Sequence, residues 1–310
     1  MINLEPRQKG KVQCVARRDF LKFSAIGLGL SGTRSVHGDE SNDKTKLRFG
    51  IVADVHYADA PAQRTRFYRE SFAKLAECVE FMNEKKVDFL IELGDLKDQD
   101  DPPEEKNTLR YLSSIEIIFR RFRGMRYHVL GNHDMDSISK RQFLAIVENS
   151  GISRDAGYYS FDAGDIHFVV LDANYRADGS DYDHGNFDWR DANIPQKELE
   201  WLAKDLGGTA KPVIVFVHQQ LDGDGDHCVR NAAALRQILQ ARQNFLAVFQ
   251  GHNHAGGYGL IENAHYYTLK AMVEGSGAEN NSYAIVEVYD DLCIAVTGYY
   301  QAASKKMASR

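Results

Sequence analysis

The 310-residue chain has few cysteines, few prolines and no long apolar run. Only six prolines stand against 11% aromatic residues, and this balance excludes a solvated low-complexity chain. No segment approaches the roughly 20 consecutive apolar residues that a membrane-spanning helix needs, so we expect no integral membrane protein and no stable membrane association. With 43% hydrophobic and 26% charged residues, the composition is that of a globular domain with one large core or two smaller ones.

The chain also lacks an excess of basic residues. Its net charge is −6, and residues 1–38 hold seven basic residues beside two acidic ones. The remainder has 31 basic and 42 acidic residues, a net charge of −11, which gives no electrostatic footprint for a nucleic-acid backbone. We therefore expect no nucleic-acid polymer as a partner, and any bound phosphate group needs a locally placed positive charge.

The few cysteines predict no disulfide framework. Cys14 lies close to the N-terminus, and the others are Cys78, Cys228 and Cys293, an odd number without a Cys-x-x-Cys spacing. Such a set is typical of neither a disulfide scaffold nor a thiolate metal site. It fits a protein that folds in a reducing compartment.

Residues 1–40 resemble a twin-arginine (Tat) signal peptide. Arg17 and Arg18 stand shortly before residues 23–30, which form a short, mildly apolar and glycine-containing stretch. The alternative is an amphipathic N-terminal helix of the mature fold. The resemblance implies export through the Tat translocase, to a periplasmic or secreted location. Cys14 precedes the arginines and is wrongly placed for lipidation.

From residue 47 onward, short apolar runs alternate with helical patterns. Strands are predicted at 47–53, 88–93, 127–130, 158–161, 166–171, 213–217, 246–250, 265–270, 283–289 and 292–297. Helices are predicted at 64–84, 104–122, 137–149, 195–206 and 229–241. This alternation predicts an α/β fold, a two-sheet α/β sandwich flanked by helices. We expect one domain over residues 44–300, followed by a tail at 301–310.

Two connections in this pattern are unusual. The last three predicted strands have no helix between them, so we expect a meander that completes the second sheet. The connection 172–194 is longer than most loops and is a candidate functional loop. Its rings either stack on a nucleobase or pin the loop to the core, the role we expect for Trp189; they are Tyr182, His184, Phe187 and Trp189.

Five polar clusters each follow an apolar run. They are Asp54-Val55-His56, Gly94-Asp95, Gly131-Asn132-His133-Asp134, His218, and Gly251-His252-Asn253-His254. A core selects apolar residues at such places, so packing does not explain the set. Imidazole, carboxylate and carboxamide groups suit Mn, Fe or Zn. Two cations about 3.5–4 Å apart share a carboxylate and a water or hydroxide, and Asp95, alone after a glycine, is the candidate bridge.

The five clusters resemble the calcineurin-like metallophosphoesterase superfamily, whose sequence blocks occur in the same order over about residues 48–256. The resemblance implies two divalent metal ions and the two-sheet sandwich. It assigns the ligands of one metal as Asp54, His56 and His254, those of the other as Asn132, His218 and His252, and Asp95 as the bridge. It also implies that His133 contacts the phosphate or protonates the leaving oxygen, and that Asp134 orients the His133 ring.

A narrower resemblance, to the manganese-dependent ADP-ribose/CDP-alcohol diphosphatases, extends over most of the mature chain. The segments that carry it are residues 49–54 with Tyr57-Ala58-Asp59, Arg66-Phe67-Tyr68-Arg69, and residues 251–258. It implies manganese as the metal and hydrolysis of pyrophosphate bonds in nucleoside-diphosphate compounds.

Three further residues are candidates for substrate binding. Arg66 and Arg69 follow the first metal loop on a predicted helix, where they either contact a distal phosphate or form a solvated helix face. Cys228 is expected near the substrate rim. The acidic loop before it, residues 222–226, lacks the following glycine and glutamate that a calcium loop needs.

We therefore expect an exported dinuclear metallohydrolase that cleaves phosphodiester or pyrophosphate bonds of a small phosphorylated substrate, with attack by a hydroxide held between the metals. The alternatives are a broad phosphomonoesterase, a cyclic-nucleotide phosphodiesterase, or a non-catalytic exported protein that binds metal or nucleotide. His133 and Asp134 argue against the last of these, because a binding protein needs no proton donor. The sequence has no serine-hydrolase, P-loop or dinucleotide-binding motif in a fitting context.

Overall fold

The computed structural model describes residues 44–309. The predicted Tat signal, including Arg17 and Arg18, lies outside these residues. Within residues 44–309, no helix has the length and apolar character needed to cross a bilayer. The three cysteines of this part of the chain are all buried free thiols.

Two six-stranded sheets form the framework of the described chain. Their strands are β1 (Thr45–Val52), β2 (Phe89–Glu92), β3 (Met125–His128), β4 (Tyr159–Ala163), β5 (Ile166–Val170), β6 (Val213–Phe216), β7 (Phe245–Gln250), β8 (Gly257–Ile261), β9 (Ala264–Thr268), β10 (Ser282–Tyr289), β11 (Ile294–Tyr300) and β12 (Lys305–Met307). The first sheet has the order β12-β11-β10-β1-β2-β3, and the second has the order β4-β5-β6-β7-β9-β8. The architecture is the predicted two-sheet α/β sandwich.

Helices cover the outer face of each sheet. They are α1 (Ser71–Lys85), α2 (Glu105–Phe119), α3 (Lys140–Ile146), α4 (Gln196–Gly207) and α5 (Ala232–Gln240). Leu75 of α1 and Leu112 of α2 are buried in one apolar cluster with the first sheet. Leu202 of α4 and Leu235 of α5 are buried in another cluster with the second sheet. The layers therefore follow the order helix, sheet, sheet, helix.

Phenylalanine side chains fill the space between the sheets. Phe49 of β1 stacks on Phe89 of β2 at 4.8 Å and meets Phe168 and Phe216 of the second sheet edge-on at 5.5 and 5.7 Å. A Cβ atom on Gly50, the next residue of β1, would lie 2.7 Å from the Met82 sulfur. The glycine therefore allows α1 to pack closely on the sheet.

The topology brings the five polar clusters to one edge of the sandwich. Strands β1, β2 and β3 run parallel in the first sheet, as do β5, β6, β7 and β9 in the second. The clusters follow β1, β2, β3, β6 and β7. Because the carboxyl ends of parallel strands meet at a common edge, side chains from both sheets converge there.

The predicted closing meander was wrong. β9 belongs to the second sheet, where it pairs with β7, whereas β10 returns to the first sheet and pairs antiparallel with β1. β11 and β12 extend the first sheet beyond β10. Apolar patterns reveal a strand but not its partner, which explains the error. β8 was not predicted, and β12 lies in the segment 301–310 that we assigned to a tail.

Two helices differ most from their predicted lengths. The helix expected over 64–84 begins only at Ser71, because Gln63 and Arg66 pair through their backbones and Tyr68–Glu70 forms a 3₁₀ turn. The helix expected over 137–149 is reduced to α3. Its start is fixed by Ser139, whose side chain accepts a hydrogen bond from the backbone of the third helical residue in a capping box.

Candidate metal centre

The first ligand group consists of Asp54, His56 and His254. Asp54 and His56 follow β1, and His254 follows β7 of the other sheet. The Nε2 atoms of the two histidines lie 3.1 Å apart, and Asp54 Oδ1 lies 3.6 Å from His254 Nε2. Two nitrogens and a carboxylate oxygen therefore face one point.

The second ligand group consists of Asn132, His218 and His252, all buried. The imidazoles of His218 and His252 lie with the Asp95 carboxylate within ligand distance of a common point. Asp95 Oδ2 is 3.1 Å from His218 Nε2 and 3.4 Å from His56 Nε2 of the first group. Asp95 therefore stands between the two groups, at the place of a bridging ligand.

Four donor atoms of these groups are buried and have no hydrogen-bond partner in the described chain. They are Asp54 Oδ2, Asn132 Oδ1, His218 Nε2 and His252 Nε2. An unpaired buried polar atom costs about 1–3 kcal/mol, and four together at one place are not expected of a packed core. Bound cations satisfy all four. A set of nitrogen and oxygen donors suits Mn, Fe or Zn, so the residues fit two divalent metal ions.

The backbone is strained at several of these ligands. Asp54, His56, Asp95 and His252 adopt positive φ angles of 53°, 46°, 60° and 65°. Such conformations cost residues other than glycine about 1–3 kcal/mol each, and they concentrate at functional sites. Gly131 completes the arrangement, since a Cβ atom there would lie 2.1 Å from the Asp95 nitrogen.

Carboxylates support both imidazoles of the first group. His56 Nδ1 lies 3.0 Å from Asp98 Oδ2, and His254 Nδ1 lies 2.6 Å from Glu274 Oε1. Each carboxylate accepts the proton on Nδ1, which leaves Nε2 free as a metal ligand and raises its basicity. The sequence analysis missed both carboxylates.

The imidazoles of the second group have different neighbours. His218 Nδ1 donates a hydrogen bond to the Leu93 carbonyl oxygen at 2.8 Å. The His252 ring lies 5.4 Å from Trp189 and 5.3 Å from His227, measured between ring centroids. Besides Asp95, the imidazoles of this group thus have a neutral carbonyl and two rings as neighbours, where those of the first group have the carboxylates of Asp98 and Glu274.

His133 lies beside the ligand groups with its side chain 31% exposed. Its Nδ1 atom is 3.7 Å from Asp98 Oδ2 and 3.5 Å from Asp136 Oδ2. Desolvation opposes the charge on this ring, but the carboxylates of Asp98 and Asp95 outweigh it and hold the pKa of His133 well above its usual value. The ring is therefore a candidate proton donor.

Asp134 has a different role from the predicted one. Its carboxylate accepts hydrogen bonds from the backbone nitrogens of Gly131, Leu96 and Asp95 at 2.8, 3.0 and 3.1 Å. It therefore ties together the loops after β2 and β3. The carboxylates nearest to the His133 ring are those of Asp98 and Asp136, and not that of Asp134.

The structure separates the two predicted substrate arginines. Arg66 lines a cavity of about 710 Å³ together with His133, Tyr68 and Asp98. The Arg69 guanidinium instead donates to Asp59, at 2.6 Å to its carboxylate and 3.0 Å to its carbonyl oxygen. Arg66 can therefore reach a ligand in the cavity, whereas Arg69 is held by an exposed ion pair.

The predicted residues of the connection 172–194, and Cys228, differ in their surroundings. Tyr182 stacks on Phe187 at 4.0 Å and is fully buried, so this pair pins the loop. Trp189 is 38% exposed and lies against the metal centre, which corrects the core-pinning role expected of it. Of the two remaining predicted residues, His184 is exposed. Cys228 is buried and directly follows His227, whose ring lies next to that of His252.

Comparisons with known proteins agree with this geometry. The profile of the family described as calcineurin-like phosphoesterase matches residues 47–256. A manganese-dependent ADP-ribose/CDP-alcohol diphosphatase from Oryza sativa is 26% identical over 300 residues, covering 83% of this chain and 92% of that protein. A 3',5'-cyclic-nucleotide phosphodiesterase from Nostoc is 24% identical over 256 residues, covering 79% of this chain and 85% of that protein.

Solved structures share the fold. A dimetal phosphatase from Danio rerio superposes with a TM-score of 0.73 at 20% identity, over 86% of this chain and 100% of that one. A purple acid phosphatase from yellow lupin gives a TM-score of 0.58 at 12% identity, over 84% of this chain and 52% of that one. Since the family profile covers more than half of the chain and every ligand position of the site, this protein belongs to the calcineurin-like phosphoesterase family, as a dimetal hydrolase of phosphoester bonds.

Proposed function

We propose that this protein is a manganese-dependent hydrolase of pyrophosphate bonds in nucleoside-diphosphate compounds such as ADP-ribose or CDP-alcohols. The observation that carries the proposal is the position of Arg66, a cation at the wall of the cavity that His133 also lines. A pyrophosphate has a second phosphate for such a cation, and a small monoester has none. The names of relatives from Oryza sativa and Arabidopsis thaliana, both manganese-dependent ADP-ribose/CDP-alcohol diphosphatases, support the same choice of substrate and metal.

Each part of the site has a role in this reaction. The two ligand groups and Asp95 would hold two divalent cations, which would supply Lewis acidity and activate a water molecule as the nucleophile. The two ligand groups and Asp95 fix the position of the reacting phosphoryl group. His133, which lies beside the carboxylates of Asp98 and Asp136, donates its proton to the leaving oxygen. Arg66 binds the second phosphate through a charge-assisted hydrogen bond.

A direct comparison of substrates tests the proposal. Purified manganese-loaded protein is assayed side by side with ADP-ribose, CDP-choline, a cyclic nucleotide and p-nitrophenyl phosphate. We expect the highest kcat/KM with one of the two pyrophosphates. A preference for the cyclic nucleotide would support the second candidate, the activity named for the Nostoc relative. A preference for p-nitrophenyl phosphate would indicate a broad phosphomonoesterase instead.

The two arginines provide a matched test of the pyrophosphate assignment. Arg66→Met removes the charge but keeps much of the apolar stem, so we expect kcat/KM for ADP-ribose or CDP-choline to fall about tenfold or more. The value for p-nitrophenyl phosphate should change little. Arg69→Met is the control, because its guanidinium is held by Asp59. Equal losses on all substrates would contradict the assigned role of Arg66.

We further propose that the protein acts after export through the Tat pathway. The support is the arginine pair before a short apolar stretch in the sequence. The double substitution Arg17→Lys and Arg18→Lys should retain the protein in the cytoplasm, as measured by fractionation of the periplasm. Undiminished export of this double variant would contradict the proposal.

A further inference from the structure

Trp189 and His227 form an aromatic ledge beside the second ligand group. Their ring centroids lie 5.2 Å apart. Each lies close to the imidazole of His252, at 5.4 Å for Trp189 and 5.3 Å for His227. The indole is 38% exposed. An exposed tryptophan thus lies directly beside His252, a candidate ligand of the metal centre.

Hydrogen bonds of one backbone nitrogen and one side chain hold the two loops that carry the ledge together. The Arg230 nitrogen donates to the Ala192 carbonyl at 2.8 Å. The Asn231 side chain donates to the Ile194 carbonyl at 2.7 Å and accepts from the Ile194 nitrogen at 3.0 Å. Because these contacts join the segment after Trp189 to the segment after His227, the two rings keep a fixed relative position.

The residues next to Trp189 are held as well. Asp188 accepts two hydrogen bonds from the Arg190 guanidinium, at 2.9 and 2.8 Å. Its carbonyl accepts another from the buried Tyr182 hydroxyl at 3.2 Å. The guanidinium also lies 5.9 Å from the Trp189 ring. The indole is therefore presented to solvent by an anchored segment, which lowers the cost of ordering it when a ligand binds.

We propose that the aromatic ledge binds the base of a nucleoside-containing substrate by stacking, while the phosphate attached to that nucleoside lies at the second ligand group. This proposal rests on the proposed function and names the half of the substrate that this side of the site recognises. Stacking accepts any flat heteroaromatic ring, since every base has a π face. The ledge therefore selects for the presence of a base, without distinguishing adenine from cytosine. The cavity at His133 and Arg66 is left for the other half of the substrate.

The tryptophan content of the chain allows a direct test. The protein has two tryptophans, Trp189 and Trp201, and Trp201 packs on Tyr158 at 4.9 Å in another part of the fold. The variant Trp201→Phe keeps an aromatic ring there and leaves Trp189 as the only indole fluorophore. Manganese-loaded Trp201→Phe protein is titrated with AMP, CMP or ribose 5-phosphate, and binding is measured in parallel by calorimetry.

We expect AMP and CMP to quench the Trp189 fluorescence and to bind about tenfold or more tightly than ribose 5-phosphate, which has the same phosphate but no base. Equal affinity for all three ligands would overturn the proposal. So would binding of AMP and CMP that leaves the fluorescence unchanged.

Kinetics separate this proposal from the proposed function. Trp189→Ala should raise KM for ADP-ribose and CDP-choline about tenfold with little change in kcat, since it removes binding common to the ground and transition states. Trp189→Phe should restore most of the affinity, and Trp201→Phe should behave as wild type. An unchanged KM in Trp189→Ala would overturn the proposed binding of the base by the aromatic ledge and leave the proposed function intact. Failure of wild-type protein to hydrolyse either pyrophosphate would instead contradict the proposed function.

Discussion

The two ligand groups use similar side chains but have different surroundings. In the first group, His56 and His254 each face a carboxylate, from Asp98 and Glu274. In the second group, His218 donates to a backbone carbonyl and His252 lies against the aromatic ledge. Because a carboxylate partner raises the basicity of a ligating imidazole, we expect the first group to hold its cation more tightly.

This difference indicates that the two ligand groups, on either side of Asp95, have different roles. The first group and its carboxylates lie on the side of His133, since Asp98 contacts both His56 and His133. The second group lies on the side of the exposed Trp189. We thus expect tight cation binding and proton donation on one side, and the proposed recognition of a base on the other.

We expect the largest effect when the residue that both groups share is replaced. Asp95→Asn replaces a bridging carboxylate by a neutral amide, so we expect loss of turnover together with loss of at least one metal ion per chain. Metal analysis after dialysis, combined with an activity assay, measures both effects. Two retained ions with full turnover would show that Asp95 is not a bridge.

A second variant separates proton donation from metal binding. His133→Ala should retain both metal ions while kcat falls about 10²–10⁴-fold, the range for loss of a general acid. The ring lies within 4.7 Å of His56 between centroids, so metal content must be measured in the same preparation. Loss of an ion would place His133 among the ligands.

The carboxylates of the first group can be tested one at a time. Glu274→Gln neutralises the partner of His254, and we expect the affinity of the first group for manganese to fall about 10–100-fold. Calorimetric titration should show the second group unchanged. Glu279→Gln is a matched control, because Glu279 is exposed on the same loop. A similar loss of manganese affinity in both variants would show that the net charge of the loop, and not the contact between Glu274 and His254, determines the affinity.

The smallest effect concerns the loop that carries Glu274. The buried ammonium of Lys74 donates to the carbonyls of Met272, Gly275 and Asn280 at 3.0, 2.6 and 3.4 Å. Lys74→Met leaves these carbonyls without that donor, so we expect the free energy of unfolding to fall by about 1–3 kcal/mol. Urea denaturation measures the change, and an unchanged midpoint and slope would show that the lysine does not stabilise the loop.

The clustering of the candidate metal ligands was predictable because each motif directly follows an apolar strand. The parallel order of β1, β2 and β3 then brings them to one edge. Asp98 left a weak signal, since it stands three residues after Asp95 in the same polar loop. Glu274 left none, because only the fold of the loop after β9 brings it to His254. Supporting residues depend on tertiary contacts that no local spacing records.

The errors in the fold have similar causes. β8 contains Gly257 and Gly259, which weaken a strand pattern, so it was missed between the last metal motif and β9. The roles of the loop aromatics were assigned from composition alone. Tyr182 and Trp189 are equally plausible anchors in sequence, and only packing shows that the first is buried and the second exposed.

Titration of metal-depleted protein with manganese, with bound metal and hydrolysis of ADP-ribose or CDP-choline followed together, distinguishes a dinuclear centre from a mononuclear one. For a dinuclear centre whose two ligand groups differ in affinity, we expect two ions per chain to bind in two steps. Hydrolysis should appear only as the second ion binds. Full activity at one ion per chain would contradict it.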